Sequence, residues 1–346
     1  MKIAITADWH FDQYARMSTI NPDGRTSRLQ DCVDCIEWMA KKAGSAECEI
    51  MVIAGDLFHS RTEINVSVLD AMNEALEHVL EAVDQVFIVA GNHDSYLRTP
   101  GISSISILSS ERITNVNARW WWKELAFVPW QDDPKVMEQE FIRAEAHGET
   151  PYLFTHVLLA GASPSESPKL LKPSALKASQ YKKVFVGDVH TPLKIGKNIQ
   201  YIGAPMQHSY SDAGSKRGFW ILDTWKDKST YVENTVSPRF TIVKKVDEGA
   251  SAARLRKKHD IRKGVDFVRI DHDNPEQAAK QAETLGARIV ENVTVDVETV
   301  APRISMNLQD GYEEAFRKYV EYMGVDEDLV EEYVEVGIET MKGITE

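Results

Sequence analysis

Short apolar runs alternate with longer stretches of helical periodicity through the first ninety residues. The short runs are rich in β-branched residues and end in polar clusters, which is typical of buried strands. Strands separated by helices of this length predict βαβ units and a largely parallel sheet. The predicted strands are 2–7, 49–54 and 86–90, and the predicted helices begin near Thr26 and Val68 and end near Gly44 and Val83.

The same patterns continue less regularly towards the C-terminus. The triplet Trp120-Trp121-Trp122 opens a predicted strand that runs to Trp130, and its side chains are either a platform for stacking bases or ordinary core and strand-surface residues. Around residue 240 the pattern changes to a small β-α-β unit, and two amphipathic helices follow. The further predicted elements are a helix from Pro134 to Gly148, strands Tyr152–Thr155, Lys183–Val186, Phe267–Ile270 and Ile289–Val297, and helices Pro275–Leu285, Tyr312–Met323 and Asp326–Met341.

Composition narrows the class of protein without assigning a function. At 346 residues the chain has room for two domains, or for one large domain with an accessory unit. It has no apolar run long enough to cross a bilayer and no signal-peptide layout, so we expect a cytoplasmic protein without membrane contact. The net charge of −13 argues against a protein that coats nucleic acid, but metal ions in an active site can neutralise phosphate locally.

The three cysteines do not indicate a metal or redox site. Cys32 and Cys35 form a CxxC pair, but Cys48 alone cannot complete a tetrahedral thiolate site. The pair lies in a helical pattern, where this spacing places both side chains on one face. We therefore expect buried thiols on a helix.

Side chains that commonly bind metals directly follow five of the predicted strands. Because the carboxyl ends of strands in an open α/β sheet line one crevice, we expect these side chains to converge. The spacing of Asp8 and His10 puts both on one side of an extended chain, and the same holds for Asp188 and His190. The candidates are Asp8, His10, Asp56, Asn92, His93, His156, Asp188 and His190.

Cleavage of a phosphodiester explains this choice of side chains. Two neighbouring divalent cations can bind the phosphate, generate hydroxide and stabilise the leaving oxygen. A carboxylate such as Asp56 can bridge them, and mixed oxygen and imidazole ligands suit Mn²⁺ and related ions, with Mg²⁺ as the alternative. His93 is then a candidate proton donor or charge stabiliser beside the phosphate.

The order of these elements resembles the calcineurin-like metallophosphoesterases, and within them the SbcD nucleases, the group that includes the meiotic-recombination-eleven repair nuclease. The resemblance is specific over residues 1–225 and looser beyond, where the chain is similar to compact forms found in phages, which would place it in the host cytoplasm. It implies a two-sheet metallophosphoesterase sandwich flanked by helices, with a small α+β capping domain and a C-terminal helical tail. The segments that carry it are Ala7-Asp8-Trp9-His10, Gly55-Asp56-Leu57-Phe58-His59, Gly91-Asn92-His93-Asp94, Tyr201-Ile202-Gly203-Ala204-Pro205 and Lys216-Arg217-Gly218-Phe219.

The resemblance also implies a role for each candidate. His93 would act on the phosphate and leaving group, with His59 placed to position it; alternatively, His59 is an N-cap or a hydrogen-bonding loop residue. The family carries histidine where this chain has Asp188, which either binds the second metal or caps the turn. One metal would be held by Asp8, His10, Asp56 and His190, and the other by Asp56, Asn92, His156 and Asp188.

The implied organisation is a nuclease domain at 1–240, a DNA-facing capping domain at 241–305 and a helical segment at 306–346. The helical segment resembles the one that binds the coiled-coil base of an SbcC-type ATPase, although its helices could instead pack against the cap. The resemblance also implies a homodimer formed by helices of the nuclease domain. The most basic stretch either contacts DNA phosphates or is a solvated helix face; it contains Arg254, Arg256, Lys257 and Lys258, followed by Arg262 and Lys263.

Three functions are compatible with these expectations. The leading one is a Mn²⁺-dependent DNA nuclease, exonuclease on ends and endonuclease on single strands, within an ATPase-regulated complex for DNA end processing, recombination and repair. The second is a small-molecule or protein phosphoesterase on the same scaffold, because a fold does not determine a substrate. The third is a catalytically silent scaffold that joins an ATPase to DNA ends, for which Asp188 is the only support. The capping domain and tail favour the nuclease.

Overall fold

Two six-stranded sheets pack face to face between layers of helix, which confirms the predicted fold class. The computed structural model describes residues 1–96, 102–145, 150–162, 170–244, 251–271 and 285–293, together with seven residues of the C-terminal segment. Residues 1–293 form one compact unit, and residues 294–346 form a second.

The first sheet carries the N-terminal βαβ units. Its strands are β1 (Lys2–Thr6), β2 (Ile50–Ala54), β3 (Gln85–Val89), β4 (Ile113–Val116), β11 (Gly218–Asp223) and β12 (Lys228–Glu233). The order is β12-β11-β1-β2-β3-β4, and β1 to β4 run parallel. Strand β11 pairs antiparallel with β1 and β12 antiparallel with β11, so the later strands extend the parallel sheet at one edge.

The second sheet has a parallel centre with an antiparallel strand at each edge. Its strands are β5 (Trp120–Trp122), β6 (Leu125–Val128), β7 (Tyr152–His156), β8 (Lys183–Gly187), β9 (Leu193–Ile195) and β10 (Ile199–Tyr201). The order is β5-β6-β7-β8-β10-β9, in which β6, β7, β8 and β10 run parallel. The parallel strands of each sheet therefore present their carboxyl ends at one edge of that sheet.

Aromatic rings fill the space between the two sheets. The rings of Phe87, Phe127, Phe154 and Phe185 stack in series, with successive centroids 5.0, 5.6 and 5.5 Å apart. All four are buried, and each such ring stabilises the fold by about 1.5–3 kcal/mol relative to an exposed position. This core fixes the first sheet against the second.

Helices cover the outer faces of both sheets. Helices α1 (Ser27–Ser45) and α2 (Val66–Ala82) pack on the first sheet, and α3 (Pro134–Glu145) packs on the second. The side chain of Thr26 accepts from the amide of Leu29, so Thr26 is the N-cap of α1, and the helix begins where it was predicted to begin. Short 3-10 helices lie at Ser104–Ile107, Pro173–Leu176, Ala178–Gln180 and Tyr210–Asp212.

The prediction of one strand from Trp120 to Trp130 is wrong. The segment is a hairpin in which β5 pairs antiparallel with β6, and Lys123 makes the turn in a left-handed conformation at φ 50°. Trp121 and Trp122 are half-buried, and the ring of Trp122 lies 5.0 Å from that of Phe87. Two of the three rings thus pack on the protein, and Trp120 on the edge strand is half exposed.

A separate three-stranded parallel sheet follows the sandwich. It contains β13 (Phe240–Lys244), β14 (Phe267–Asp271) and β15 (Ile289–Val293), with α4 (Ala252–His259) between the first two strands. The predicted helix Pro275–Leu285 lies outside the described residues except for its last position. The proposed boundaries at residues 240 and 305 stay predictions.

Seven residues represent the second unit, and all are helical. Val320, Val330 and Val334 form a small buried cluster, and Arg317 forms an ion pair with Glu331. The remainder of the predicted helices Tyr312–Met323 and Asp326–Met341 lies outside the described residues. Among the residues that are described, no helix combines the length and apolarity that a membrane span requires.

The prediction of buried helical thiols is confirmed for Cys32 and Cys35, which lie buried on α1 as free cysteines. Burial raises the pKa of Cys35 to about 12 and that of the buried Cys48 to about 11. A thiolate is the reactive species, so these groups are protected both by burial and by protonation.

We expect the native chain to react with a disulfide reagent at pH 8 roughly a hundredfold more slowly than the denatured chain. The chain unfolded in guanidinium is the control and should release three equivalents of chromophore, one for each cysteine. Rapid modification of one equivalent in the native chain would show that one thiol is exposed.

Candidate active site

The structure brings the predicted site residues together at the carboxyl ends of five parallel strands. They follow or end β1, β2, β3, β7 and β8. Asp8 and His156 are fully buried at the base of the site. Above them lies a cavity of about 380 Å³, lined by His10, Tyr14, Asp56, His59, Asn92, His93, Asp188, His190, His208, Ser209, Ser211 and Asp212.

The backbone of the site is not extended, so the argument that placed Asp8 and His10 on one side of an extended chain is wrong. Strand β1 ends at Thr6, and Asp8 and His10 are left-handed, with φ 56° and 48°. Asp56 and Asp188 share this conformation, at φ 57° and 92°. Left-handed non-glycine residues cost about 1–3 kcal/mol each and persist only where the surroundings impose them.

Two groups of potential ligand atoms share the carboxylate of Asp56. On one side, Nε2 of His10 lies 3.6 Å from Asp56 Oδ2 and 3.1 Å from Nε2 of His190. On the other, Nε2 of His156 lies 3.4 Å from Asp56 Oδ1 and 3.5 Å from Asp188 Oδ1. By the distances between ligand atoms, Asp8, His10 and His190 could hold one cation and Asp8, Asp56 and His156 another, so Asp8 is common to both sets and Asp56 lies against each. Within the described residues, His10, His59 and His93 form a third such set.

The oxygen atoms of Asn92 and Asp8 are placed as ligands of a divalent cation would be. Oδ1 of Asn92 faces acceptors, lying 2.9 Å from His156 Nε2 and close to the carboxylates of Asp56 and Asp188. Within the described part of the chain, Asp8 Oδ2 is buried without a hydrogen-bond donor. Rotating the Asn92 amide by half a turn would instead direct its nitrogen at these acceptors and its oxygen at Arg61, so the position can serve a cation or a hydrogen-bond network.

Neighbouring loops fix the orientation of the site carboxylates and imidazoles. Nδ1–H of His156 donates to the carbonyl of Ala54 at 2.8 Å, which directs Nε2 towards the site. The amide of His93 donates to Asp56 Oδ1 at 2.8 Å, and the amide of Asp188 donates to Asp8 Oδ1 at 3.0 Å. Each carboxylate therefore keeps one fixed donor and presents its remaining lone pairs to the site.

Burial and mutual repulsion perturb the charges. Burial, reinforced by Asp56 and Asp188, raises the pKa of Asp8 to about 8. Burial also opposes charge on Asp56 and on His156, yet their mutual attraction lowers the pKa of Asp56 and raises that of His156. The pKa of His10 is lowered, mainly by burial. A cluster of this kind is typical of functional sites, since a bound cation would relieve the repulsion between carboxylates.

His93 and His59 lie together beside the ligand groups. Nδ1–H of His93 donates to the carbonyl of His59 at 2.6 Å, which leaves Nε2 for contacts in the cavity. The two rings stack with centroids 5.4 Å apart, and the ring of His93 lies 4.9 Å from that of His10. His59 thus orients His93 through its backbone carbonyl and its ring. The catalytic roles of both residues stay predictions.

The sequence argument assigned no role to Asp94, which joins the loops after β2 and β3. Its carboxylate accepts from the amides of Asp56, Leu57 and Gly91 at 2.8, 3.0 and 2.9 Å. Burial and the nearby charge of Asp56 raise the pKa of Asp94 to about 6. Its position in the segment Gly91-Asn92-His93-Asp94 was the available signal.

Tyr14, His208 and Asp212 also line the cavity and were not predicted from the sequence. The carboxylate of Asp212 accepts from Arg217 at 2.7 Å, and its Oδ1 lies 4.0 Å from His190 Nδ1. Of these four residues, only Arg217 lies in a segment that was noted in the sequence, Lys216-Arg217-Gly218-Phe219. The others carry no local signal, because chain folding alone brings them to the site.

The basic stretch lies on α4 and just beyond it. Arg254, Lys257 and Lys258 are exposed, whereas Arg256 is half-buried and donates to the carbonyl of Leu285 at 2.8 Å. Contact of these side chains with DNA stays a prediction. Arg262 instead has a structural role, because it donates to the fully buried carboxylate of Asp266.

Comparison with known proteins found a matching family profile and a sequence relative. A family profile described as calcineurin-like phosphoesterase matches residues 1–192, more than half of the chain. The chain is 25% identical over 247 residues to exonuclease subunit 1 of Enterobacteria phage T4, covering 68% of this chain and 69% of that protein.

Solved structures in the same comparison include the protein TT1561 of Thermus thermophilus and the nuclease MPE of Pseudomonas putida. The first is 13% identical with a TM-score of 0.42, covering 67% of this chain and 98% of that one. The second is 14% identical with a TM-score of 0.28, covering 63% and 83%. The strand order of the two sheets and the match to the family profile therefore identify the fold.

We expect Gly187→Ala to disturb the site through sterics alone. An added Cβ would lie 2.1 Å from the carbonyl oxygen of Ala54 and 2.6 Å from Nδ1 of His156, the two atoms whose hydrogen bond orients that ring. The affinity for a divalent cation, measured with Mn²⁺ as the probe, should fall at least about tenfold. The free energy of unfolding should fall by about 1–3 kcal/mol. Calorimetric titration and denaturant unfolding measure the two effects.

Gly44→Ala is the matched control. Its added Cβ would lie 3.5 Å from Cβ of Ala82, an ordinary contact on α1. It should leave Mn²⁺ affinity unchanged and raise the free energy of unfolding by up to about 1 kcal/mol. Equal Mn²⁺ affinity in both variants would show that the orientation of His156 does not govern metal binding.

Proposed function

The chain belongs to the calcineurin-like phosphoesterase family, and we propose that it is a two-metal DNA nuclease. The observation that carries the proposal is the pair of ligand groups on either side of Asp56, with His93 beside them. One group would consist of Asp8, His10, Asp56 and His190. The other would consist of Asp56, Asn92, His156 and Asp188.

Nucleic acid as the substrate is supported by the printed name of a relative. The phage T4 protein that matches 68% of this chain is named exonuclease subunit 1. A cavity that is open to solvent and lined by imidazoles and carboxylates suits a charged phosphodiester better than an apolar ligand. We therefore propose DNA as the substrate, cut from ends and within single strands.

When bound at this site, two divalent ions would bind the phosphate, lower the pKa of a water molecule and stabilise the leaving oxygen. Mn²⁺ is the proposed ion, because the ligand groups mix carboxylate, amide and imidazole atoms. The chain's own contribution is positional. His93 would place Nε2 against the phosphate or the leaving oxygen, and the hydrogen bond to the His59 carbonyl would hold that ring in place.

The position of Asp188 supports its proposed role as a metal ligand. Its carboxylate points at His156, with Oδ1 3.5 Å from Nε2, and it lines the cavity. A residue that only capped the turn would direct its oxygen at backbone amides. The proposed second ligand group therefore carries one more negative charge than the histidine of the resembling family would give it.

A complex with an SbcC-type ATPase and a homodimer are further parts of the proposal. Their support is the resemblance of the N-terminal segments, together with the subunit name of the phage relative. In that arrangement the segment 306–346 would bind the ATPase, and the complex would process DNA ends in recombination and repair.

His93→Ala should abolish cleavage while leaving Mn²⁺ binding nearly unchanged, because the ring acts on substrate and lies outside both proposed ligand groups. Loss of a general acid or charge stabiliser predicts a rate about 10²–10⁴-fold lower. The measurement is a Mn²⁺ titration of cleavage on blunt, recessed and single-stranded DNA, with Mn²⁺ affinity measured on the same preparations.

His78→Ala is the control, since His78 lies on α2 with its Nδ1 4.0 Å from Glu81. It should cleave at the unaltered rate. Normal cleavage by His93→Ala would remove the role assigned to that residue. Hydrolysis of an aryl phosphodiester without any cleavage of DNA would replace the nuclease with a general phosphoesterase.

Substitutions at Asp188 distinguish ligation from capping. Asp188→Ala removes the carboxylate and should weaken Mn²⁺ binding about tenfold or more, with a matching loss of cleavage. Asp188→His restores the side chain of the resembling family and should retain both.

Unchanged Mn²⁺ affinity in Asp188→Ala would assign the carboxylate to the turn. Metal binding without turnover in both the unaltered chain and Asp188→His would support the catalytically silent scaffold instead.

A further inference from the structure

A hydrogen-bonded pair, Tyr14 and His208, lies directly behind the turn that carries Asp8 and His10. The hydroxyl of Tyr14 donates to the carbonyl of His10 at 2.6 Å and lies 3.1 Å from Nδ1 of His208. Nε2 of His208 lies 3.1 Å from the carbonyl of Asp8. The two side chains thus contact the backbone carbonyls of both left-handed residues of this turn.

The protonation of the pair follows from its acceptors. A carbonyl cannot donate, so the contact with Asp8 requires the proton of His208 on Nε2. Nδ1 is then an acceptor and shares the Tyr14 hydroxyl proton with the carbonyl of His10. Burial and the nearby His190 lower the pKa of His208 to about 3, which is consistent with this neutral tautomer.

Hydrogen bonds to its backbone amide and to its backbone carbonyl hold His208 in place. Its amide donates to Asp212 Oδ2 at 2.7 Å, and its carbonyl accepts from Nη2 of Arg28 at 2.5 Å. The guanidinium of Arg28 lies 4.2 Å above the ring of Tyr14, and the rings of Tyr14 and His208 stack at 6.2 Å. The pair is therefore a rigid support.

These contacts exclude His208 as a further metal ligand in this arrangement. The centroid of its ring lies 5.5 Å from those of His10 and His190, which is close enough for a role as a metal ligand to be considered. Both of its ring nitrogens, however, are directed at Tyr14 and the Asp8 carbonyl, and neither faces a carboxylate of the site. Although the ring lines the cavity, its hydrogen bonds to the site therefore run to Tyr14 and to the backbone carbonyl of Asp8.

We propose that Tyr14 and His208 are positioning residues that hold the Asp8–His10 turn in the left-handed form needed to present both side chains to a metal ion. The physical reason is that left-handed aspartate and histidine are strained, and an external hydrogen bond to each carbonyl compensates for the strain. This proposal rests on the metal-binding part of the proposed function and requires no assumption about the substrate.

Tyr14→Phe tests the pair with the smallest change, because the ring remains over Arg28 and only the hydroxyl is lost. We expect the dissociation constant for Mn²⁺, measured by calorimetry on the full chain, to rise about 10–100-fold, the range for residues that orient metal ligands. The electron paramagnetic resonance spectrum of bound Mn²⁺ should change as well, because the ligands around the ion would be displaced. A general loss of stability would not alter this spectrum.

Tyr152→Phe is the matched control. The hydroxyl of Tyr152 donates to Asp227 at 3.1 Å, at the opposite end of β7 from His156. It should lose similar thermal stability and bind Mn²⁺ with unaltered affinity. A dissociation constant for Tyr14→Phe within twofold of that for Tyr152→Phe would overturn the proposal.

A conservative rescue separates positioning from simple packing. His208→Ala should weaken Mn²⁺ binding at least as much as Tyr14→Phe. His208→Gln, whose amide also offers an adjacent acceptor and donor, should recover part of the loss. If His208→Ala does not fold, the Tyr14→Phe comparison decides alone.

Failure of the proposed function would look different. DNA that stays intact while Mn²⁺ binds normally would affect only the assignment of substrate. No Mn²⁺ binding by the unaltered chain would overturn both the proposed function and this inference.

Discussion

The repulsion between three carboxylates held in one buried site is the constraint around which the rest of the structure is arranged. Asp8 and Asp56 are buried and Asp188 is half-buried beside them, and burial with mutual repulsion raises the pKa of Asp8 to about 8. The carboxylates of Asp8 and Asp56 are each fixed by an amide from a neighbouring loop. Those loops follow strands of different sheets, so the carboxylates are held together only where both sheets are in place.

Close packing of backbone at the site follows from the same constraint. The carboxylate of Asp94, in the loop after β3, accepts from the amides of Asp56 and Leu57 in the loop after β2, which brings the two backbone segments close together. At Gly91, a Cβ would lie 2.2 Å from Asp56 Oδ1. The absence of a side chain there lets the amide of His93 reach the same carboxylate. The residues between the potential ligands thus matter as much to the geometry as the ligands do.

Much of the fold could be predicted because the apolar pattern determines it locally. Strands such as β2 and helices such as α1 follow directly from hydrophobic periodicity, and the polar residues at strand ends indicated the site. The left-handed turn at Asp8–His10 could not be predicted, because its backbone partners lie far away in the sequence, among them the carbonyls of Gly55 and Asp56 in the β2 loop. The Tyr14–His208 pair joins residues 194 positions apart, so no local pattern contains it. The turn at Lys123 was missed because Lys123-Glu124 contains neither of the usual turn residues glycine and proline.

The carboxylate at position 188 gives the site a distinct electrostatic balance. Where an imidazole would add a neutral donor beside His156, Asp188 adds a charge 3.5 Å from it. The additional charge increases the attraction for any bound divalent cation and increases the repulsion within the site when no cation is present. A site of this kind must be held more firmly by its backbone than a neutral one. The left-handed turns meet that need. Backbone amides of neighbouring loops donate to the carboxylates of Asp8, Asp56 and Asp94, and these hydrogen bonds fix the loops relative to one another.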